Sequence, residues 1–295
     1  MLLALDRIGL RPVGSALLVS SPAWVLMALA LMCASMLLRA AAWHAILRAA
    51  LPDARSRLVD AVQGTTIGVP VSATLPARLG EPLRVLIVAR RLGRARERAP
   101  VVLGTVVSQT LLNVLALALL GALVLFSGGL LESRPQDLVV SALPPFAVLC
   151  AVLVAPAPLR RGLVVFRRAR LGLAATCAQL GAWALPWLAC YVLLVALGLD
   201  GAASMGAAAA VLLAVNVTAV LPVTPSNLGV FQAACVAVLA GGYGIGAAQA
   251  LGYGIVLQAV ELATAVAMGA PALLREGLSW RELRIRRRLP RCFAA

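Results

Sequence analysis

The chain has 295 residues, 62% of them hydrophobic and only 13% charged, with a mean hydropathy of +0.98. Soluble domains hold roughly 45–50% apolar and 25% charged residues, so a water-soluble enzyme is excluded. The formal charge of +15 comes from 26 arginines and no lysine against 11 acids; such an excess serves nucleic-acid binding, membrane orientation or self-repelling tails, and the positions of the arginines decide between them.

Crossing a bilayer takes about 20 apolar residues. Charge-free stretches run over 12–38, 99–131, 138–159, 171–199 and 201–260. Asp6, Arg7 and Arg11 interrupt the first residues, and the apolar run after them is long enough to stay as an anchor, so a cleaved signal peptide does not fit. The first four stretches each predict one spanning helix. The fifth is too long for one and carries Pro222 and Pro225 near its middle, so it must break before a final span over 247–274 that contains Glu261. Arginines cluster at 39–57, 90–98, 160–170 and 275–291, whereas the connections near Arg134 and Asp200 are acidic or nearly uncharged. The positive-inside rule places the four clusters in the cytoplasm and the two connections outside, with the C-terminus cytoplasmic.

Two segments do not fit simple crossings. Between the first two clusters, which share a side, the chain must enter the membrane and return; Pro70, Pro76 and Pro82 divide this segment into short helical pieces. That predicts a re-entrant hairpin with a sheltered non-helical tip. A second such hairpin over 203–241, followed by the span over 247–274, gives the single net crossing required between Asp200 and the tail. The tips resemble each other: Leu75-Pro76-Ala77-Arg78-Leu79-Gly80-Glu81 and Leu221-Pro222-Val223-Thr224-Pro225-Ser226-Asn227-Leu228-Gly229-Val230, with Gly80 and Gly229 149 residues apart. Broken helices at matching positions of oppositely facing halves point to a transporter-like inverted repeat. The expected fold is therefore all-α: a polytopic transmembrane bundle with two re-entrant helical hairpins, one integral domain over 1–276 (halves near 1–131 and 132–276) and a basic cytoplasmic tail over 277–295. On this pattern the first half lacks its leading span, and Arg7 and Arg11 fall outside the membrane on the wrong side. The expectation that follows is that a first helix is absent, either because the start at Met1 is placed too late or because this chain has lost it.

Familiar soluble chemistries have little to build on. The six cysteines form no C-x-x-C pair, His44 is the single histidine, and no Walker-type loop is present. Neither metal nor cofactor is expected.

The stretch Leu75–Glu81 followed by Arg84, together with Pro222-x-x-Pro225-x-x-Leu228-Gly229-Val230 and the final glycine-rich helix, resembles the lysylphosphatidylglycerol synthase transmembrane (flippase-like) family over about residues 22–276. The resemblance implies an integral membrane protein that moves or handles lipids, an anionic phospholipid or a polyprenyl-linked lipid. It implies no aminoacyl transfer, because the chain carries no large soluble domain after the last helix. Departures from the family's pattern are Ser226-Asn227 where glycines are common, Gln232 where an acid is common, Gln109 and Asn113 where charges are common, and Gln258 where an arginine is frequent.

The candidate site residues are those that cost most to place in a membrane. An intramembrane charge costs about 2.5 to 3.5 kcal/mol on insertion scales, and Arg78, Glu81 and Arg84 recur at helical spacing in the first hairpin. They read either as a fork for a lipid phosphate, which arginine recognises bidentately, or as an interfacial salt bridge with snorkelling arginines. Thr224, Ser226 and Asn227 precede the helix opening near Leu228, where they either help its N-terminus hold an anion or simply cap it. Gln232, Gln258 and Glu261 complete the candidate substrate-binding set; Glu261 is a proton or cation site, a counter-charge to Arg78 or Arg84, or a structural hydrogen-bonding group. Pro76, Gly80, Pro222, Pro225 and Gly229 shape the tips. Trp43, Trp183, Trp187 and Trp280 read as interfacial anchors. The expected function is binding and flipping of an anionic lipid in a bacterial plasma membrane, lysine-free and alanine-rich composition suggesting a GC-rich bacterial genome. The alternatives are a membrane-embedded enzyme on a lipid-linked substrate and a scaffold for a lipid-synthesis enzyme. Nucleic acid is not needed to explain the charge, and no catalytic residue is assigned.

Overall fold

Runs of alanine and leucine favour helix here, and in the computed structural model every regular element is helical among the described residues, which are 22–54, 56–74, 80–93, 95–126, 161–199, 201, 204–218 and 229–275. Helix α1 spans Pro22–Ala50, α2 Leu58–Thr74, α3 Gly80–Arg91 and α4 Ala95–Phe126. After a 3-10 turn over Arg161–Arg167 come α5 (Ala169–Ala196), α6 (Met205–Thr218), α7 (Val230–Tyr243) and α8 (Ala247–Arg275). Among the described residues four stretches are long and apolar enough to cross a membrane: Pro22–Ala50, Glu97–Ala122, Ala169–Ala196 and Ala247–Ala272. At about 1.5 Å per residue each exceeds the roughly 30 Å hydrocarbon thickness of a bilayer. Leu26, Leu115, Leu119, Leu173, Leu262 and Val266 stand exposed on these helices, as side chains facing lipid should.

The described helices repeat one order: a long helix, two short helices, a long helix. Thus α1, α2–α3 and α4 are followed by α5, α6–α7 and α8. The two leading helices pack antiparallel as the main axis of the bundle. Ser35 Oγ donates to the Ala182 carbonyl at 2.6 Å, Leu38 lies against Gly181, and Ala45 and Ile46 cluster with Ala175. Small residues let the backbones approach: Ala28, Ser35, Ala42, Ala175, Ala182 and Ala189 are all buried along this pair.

Helices α2 and α3 form an antiparallel hairpin. At its open end Arg91 Nη1 donates to Asp60 Oδ1 at 3.1 Å; further in, Gly64 faces Val88 and Gly68 faces Gly80 and Arg84. This hairpin packs on α1, α4 and α8. In the second pair, α6 packs on α4, α5 and α7, and α7 on α8. Six consecutive residues of α6, Ala207–Leu212, are buried, so α6 is enclosed on all sides and not merely along one stripe. The α7–α8 turn closes on Gly244, whose φ of +67° suits glycine, with the Ile245 N–H donating back to Leu239 O at 3.1 Å.

The spans expected over 99–131, 171–199 and 247–274 correspond to α4, α5 and α8. The first does not keep its expected bounds. A charge-free stretch of 12–38 places the end of the helix before Arg39, but α1 continues through Arg39 to Ala50. The reason is that Arg39 has partners inside the bundle. The span expected over 138–159 and residues 1–21, with Arg7 and Arg11, lie outside the described residues.

Candidate functional site

The lack of a side chain at Gly64 is what allows α2 to lie against Trp43 and Val88; a Cβ there would come within 2.8 Å of both. The indole of Trp43 is fully buried, its Nε1 donating to Thr105 Oγ1 of α4 at 3.0 Å. On that indole sits Arg84 of α3, its guanidinium carbon 4.7 Å from the ring centroid. Arg84 Nη2 donates to Gln109 Oε1 at 3.1 Å, and Gln109 Nε2 donates to the backbone carbonyl of Arg39 at 2.9 Å. One glutamine of α4 therefore ties the hairpin arginine to α1. The energies are of the right size: a desolvated cation–π contact contributes about 2 kcal/mol and a hydrogen bond to a charged group about 1.5–3 kcal/mol. Together they offset the roughly 2.5–3.5 kcal/mol cost of an arginine at the centre of a membrane. Arg84, only 9% exposed, does not need to snorkel.

Arg39, one turn before Trp43 on α1, is placed in the same manner. Its guanidinium carbon lies 5.4 Å from the Trp183 ring centroid of α5. Trp183 Nε1 donates to Asn113 Oδ1 at 3.1 Å, and Gln179 Nε2 donates to the same oxygen. Glu261 of α8, half-buried, interacts electrostatically with Arg39. The pair of arginines, two tryptophans, Gln109, Asn113 and Gln179 thus form a polar layer that links α1, α3, α4 and α5, with a carboxylate of α8 beside it.

The second hairpin contributes a smaller polar contact. Gly229 caps α7 with φ +88°, and its N–H donates to Gln232 Oε1 at 2.8 Å. Gln232 Nε2 in turn donates to Gln258 Oε1 of α8. Close contact is permitted by Gly254, where a Cβ would meet Cys235 Cβ at 3.1 Å. Among the described residues the side chain at this cap is Gln232, and α7 opens at Val230, close to the expected start near Leu228; Ser226 and Asn227, the expected caps, lie outside the described residues.

Of the residues singled out from sequence, Arg84, Gln232, Gln258 and Glu261 have described side chains, Gly80 opens α3, Glu81 is its second residue and Gly229 caps α7. Arg78, Pro76, Pro222, Thr224, Pro225, Ser226 and Asn227 lie outside the described residues. Arg84 and Glu261 are not brought together; the arginine that Glu261 answers is Arg39, which the sequence reading had assigned to a cytoplasmic cluster. The signal was present: from Pro22 to Leu47 Arg39 is the one formal charge in a run otherwise broken only by Ser35 and His44. Trp43 and Trp183 are also corrected. Both are buried, with their N–H groups bonded inside the bundle, so they are platforms for arginine and not lipid-interface anchors. Among the described residues no cluster of histidine, cysteine or carboxylate side chains could hold a metal.

Compared with models of protein families, residues 1–269 match the one described as lysylphosphatidylglycerol synthase TM region. No curated protein and no solved structure gives a match to the chain.

Proposed function

The chain belongs to the lysylphosphatidylglycerol synthase transmembrane-region family, and from that premise we propose that it binds the anionic head group of a membrane lipid and carries it between leaflets. The observation that carries the proposal is Arg84: a buried guanidinium on a short hairpin, held by Trp43 and Gln109 alongside helices long enough to span a bilayer. A guanidinium presents its N–H donors in a rigid planar fork, the geometry that suits phosphate oxygens. In this reading both hairpins are re-entrant, Arg78 and the tip residues Thr224, Ser226 and Asn227 complete the head-group site, and Glu261 balances Arg39. No covalent step is required; alternating exposure of the site moves the lipid. The protein sits in a bacterial plasma membrane with its arginine-rich tail in the cytoplasm.

The test is reconstitution in liposomes with tail-labelled phospholipids. Arg84→Gln should slow leaflet exchange of an anionic lipid by about 10- to 100-fold, the worth of one charge-assisted hydrogen bond, with little effect on a neutral lipid. If the purified protein exchanges no tested lipid, and Arg84→Gln leaves lipid co-purification unchanged, the proposal fails. Chemical turnover of the labelled lipid in place of exchange would favour an enzyme.

A further inference from the structure

Gln109 lies 29 residues after Gly80, and Gln258 lies 29 residues after Gly229. Gly80 and Gly229 introduce the second helix of their respective hairpins, so the two glutamines occupy equivalent places on α4 and α8, the closing long helices of the two halves. Their contacts are equivalent too. Gln109 Oε1 accepts from Arg84 of α3, and Gln258 Oε1 accepts from Gln232 of α7. Each glutamine thereby fastens the second hairpin helix of its half to the long helix that follows.

We infer that Gln109 and Gln258 are paired latches, and that only the first is released by an anionic lipid head group. The difference lies in the hairpin partner. In the first half it is a guanidinium, and a phosphate, bearing charge and several acceptor oxygens, competes for its N–H groups far better than a neutral amide oxygen does. In the second half both partners are neutral amides, which offer an anion no comparable gain. Taking Arg84 away from Gln109 would remove the polar tie between α3 and α4, leaving the apolar contact of Val85, Val88 and Ala89 with Val102 and Val106, and would also loosen the amide that holds the Arg39 carbonyl. The second hairpin stays fastened. An inverted repeat with one ligand-sensitive and one insensitive latch has a built-in direction of response. The inference rests on Arg84 as the head-group ligand.

Two spin-label pairs on a cysteine-free background read the latches separately. Leu86 on α3 and Leu103 on α4 are exposed and report the first; Ala237 on α7 and Leu262 on α8 are exposed and report the second. The protein is placed in phosphatidylcholine nanodiscs with and without phosphatidylglycerol. The expected result is a longer, broader 86–103 distance with phosphatidylglycerol and an unchanged 237–262 distance. Gln109→Glu, which gives Arg84 a carboxylate that a lipid phosphate cannot easily displace, should keep the 86–103 distance narrow in both membranes, and that narrow distance itself reports a folded variant. Gln258→Leu should broaden only the 237–262 distance. Equal responses of both pairs, or none while Arg84→Gln abolishes phosphatidylglycerol co-purification, would overturn the latch and leave the head-group site standing. Unchanged co-purification in Arg84→Gln would overturn both.

Discussion

Gly64 constrains the site more than any side chain on α2, because its missing Cβ is the space that Trp43 and Val88 occupy, each 2.8 Å from where that carbon would sit. Alanine is the better helix former by about 1 kcal/mol, yet the Trp43 ring is fully buried and cannot swing away. Overpacking of this kind costs about 1–3 kcal/mol. Gly64→Ala is therefore expected to lower the thermal midpoint in detergent; an unchanged or raised midpoint would show that α2 is free to move off α1. Trp43→Phe tests the platform itself. It keeps an aromatic face under Arg84 but removes the donor to Thr105, leaving a buried hydroxyl with one contact fewer, and should cost about 1 kcal/mol. Trp43→Leu should cost more, since the cation–π contact goes as well; equal losses in the two variants would mean that Arg84 gains nothing from the ring. These residues also mark where sequence reading stopped. Arg84 was legible because a charge in a short proline-bounded segment is conspicuous. Arg39, Trp43 and Trp183 were not, because hydropathy treats an arginine as a sign of water and a tryptophan as a sign of the interface, and neither scale contains the contact that lets one hold the other inside a bundle.

At the level of elements, the junction before α7 is the most demanding piece of backbone. Gly229 has φ +88° and ψ −46°, a conformation that costs a residue with a Cβ about 1–3 kcal/mol, although nothing lies within 4 Å of where that Cβ would be. Gly241, inside the same helix and equally uncrowded, has no such φ. Gly229→Ala should thus lower the thermal midpoint while Gly241→Ala holds or raises it, helix propensity being its main effect. A loss of similar size in both would point to crowding by lipid or another copy and not to backbone strain. Helix positions were largely readable from charge: α5 and α8 end within a few residues of the arginines and the aspartate that bound their apolar runs. The short helices were readable only in part: Pro70 does not divide its segment, because α2 continues through it to Thr74, and Pro82 falls in the first turn of α3, where the missing N–H costs least. The end of α1 was not, since the rule that a charge ends a span failed at Arg39. At the start of α7 a glutamine three residues inside the helix accepts from the Gly229 N–H, a contact that the usual capping types do not suggest in advance; Ser226 and Asn227 lie outside the described residues.

For the molecule as a whole, the antiparallel pairing of α1 and α5 decides which loops share a side. The C-terminal end of α1 lies beside the N-terminal end of α5, so residues 51–57 and 161–168 occupy one face of the bundle, and the residues after Ala196 occupy the other. The open end of the first hairpin, with Asp60 and Arg91, joins the first face, because α2 follows α1 through residues 51–57. That face carries Arg48, Arg57, Arg90, Arg91, Arg98, Arg167 and Arg168 among the described residues, and the orientation proposed from the positive-inside rule would make it cytoplasmic. Gly201 stands exposed on the opposite face with open space around it, and Asp53 is exposed on the first. In intact cells a membrane-impermeant thiol reagent should label Gly201→Cys in a cysteine-free background, and should label Asp53→Cys only after permeabilisation. Labelling of both sites in intact cells would contradict a helix that crosses between them, and the reverse pattern would invert the assignment of every face. Arg39→Gln provides the sharper form of the test. If Arg39 belonged to the flanking charges it would help to set orientation, and its loss would push part of the population into the inverted pattern. Held within α1 over Trp183, it lies away from the flanking loops that the rule counts, so the labelling pattern should be unchanged while the stability in detergent falls.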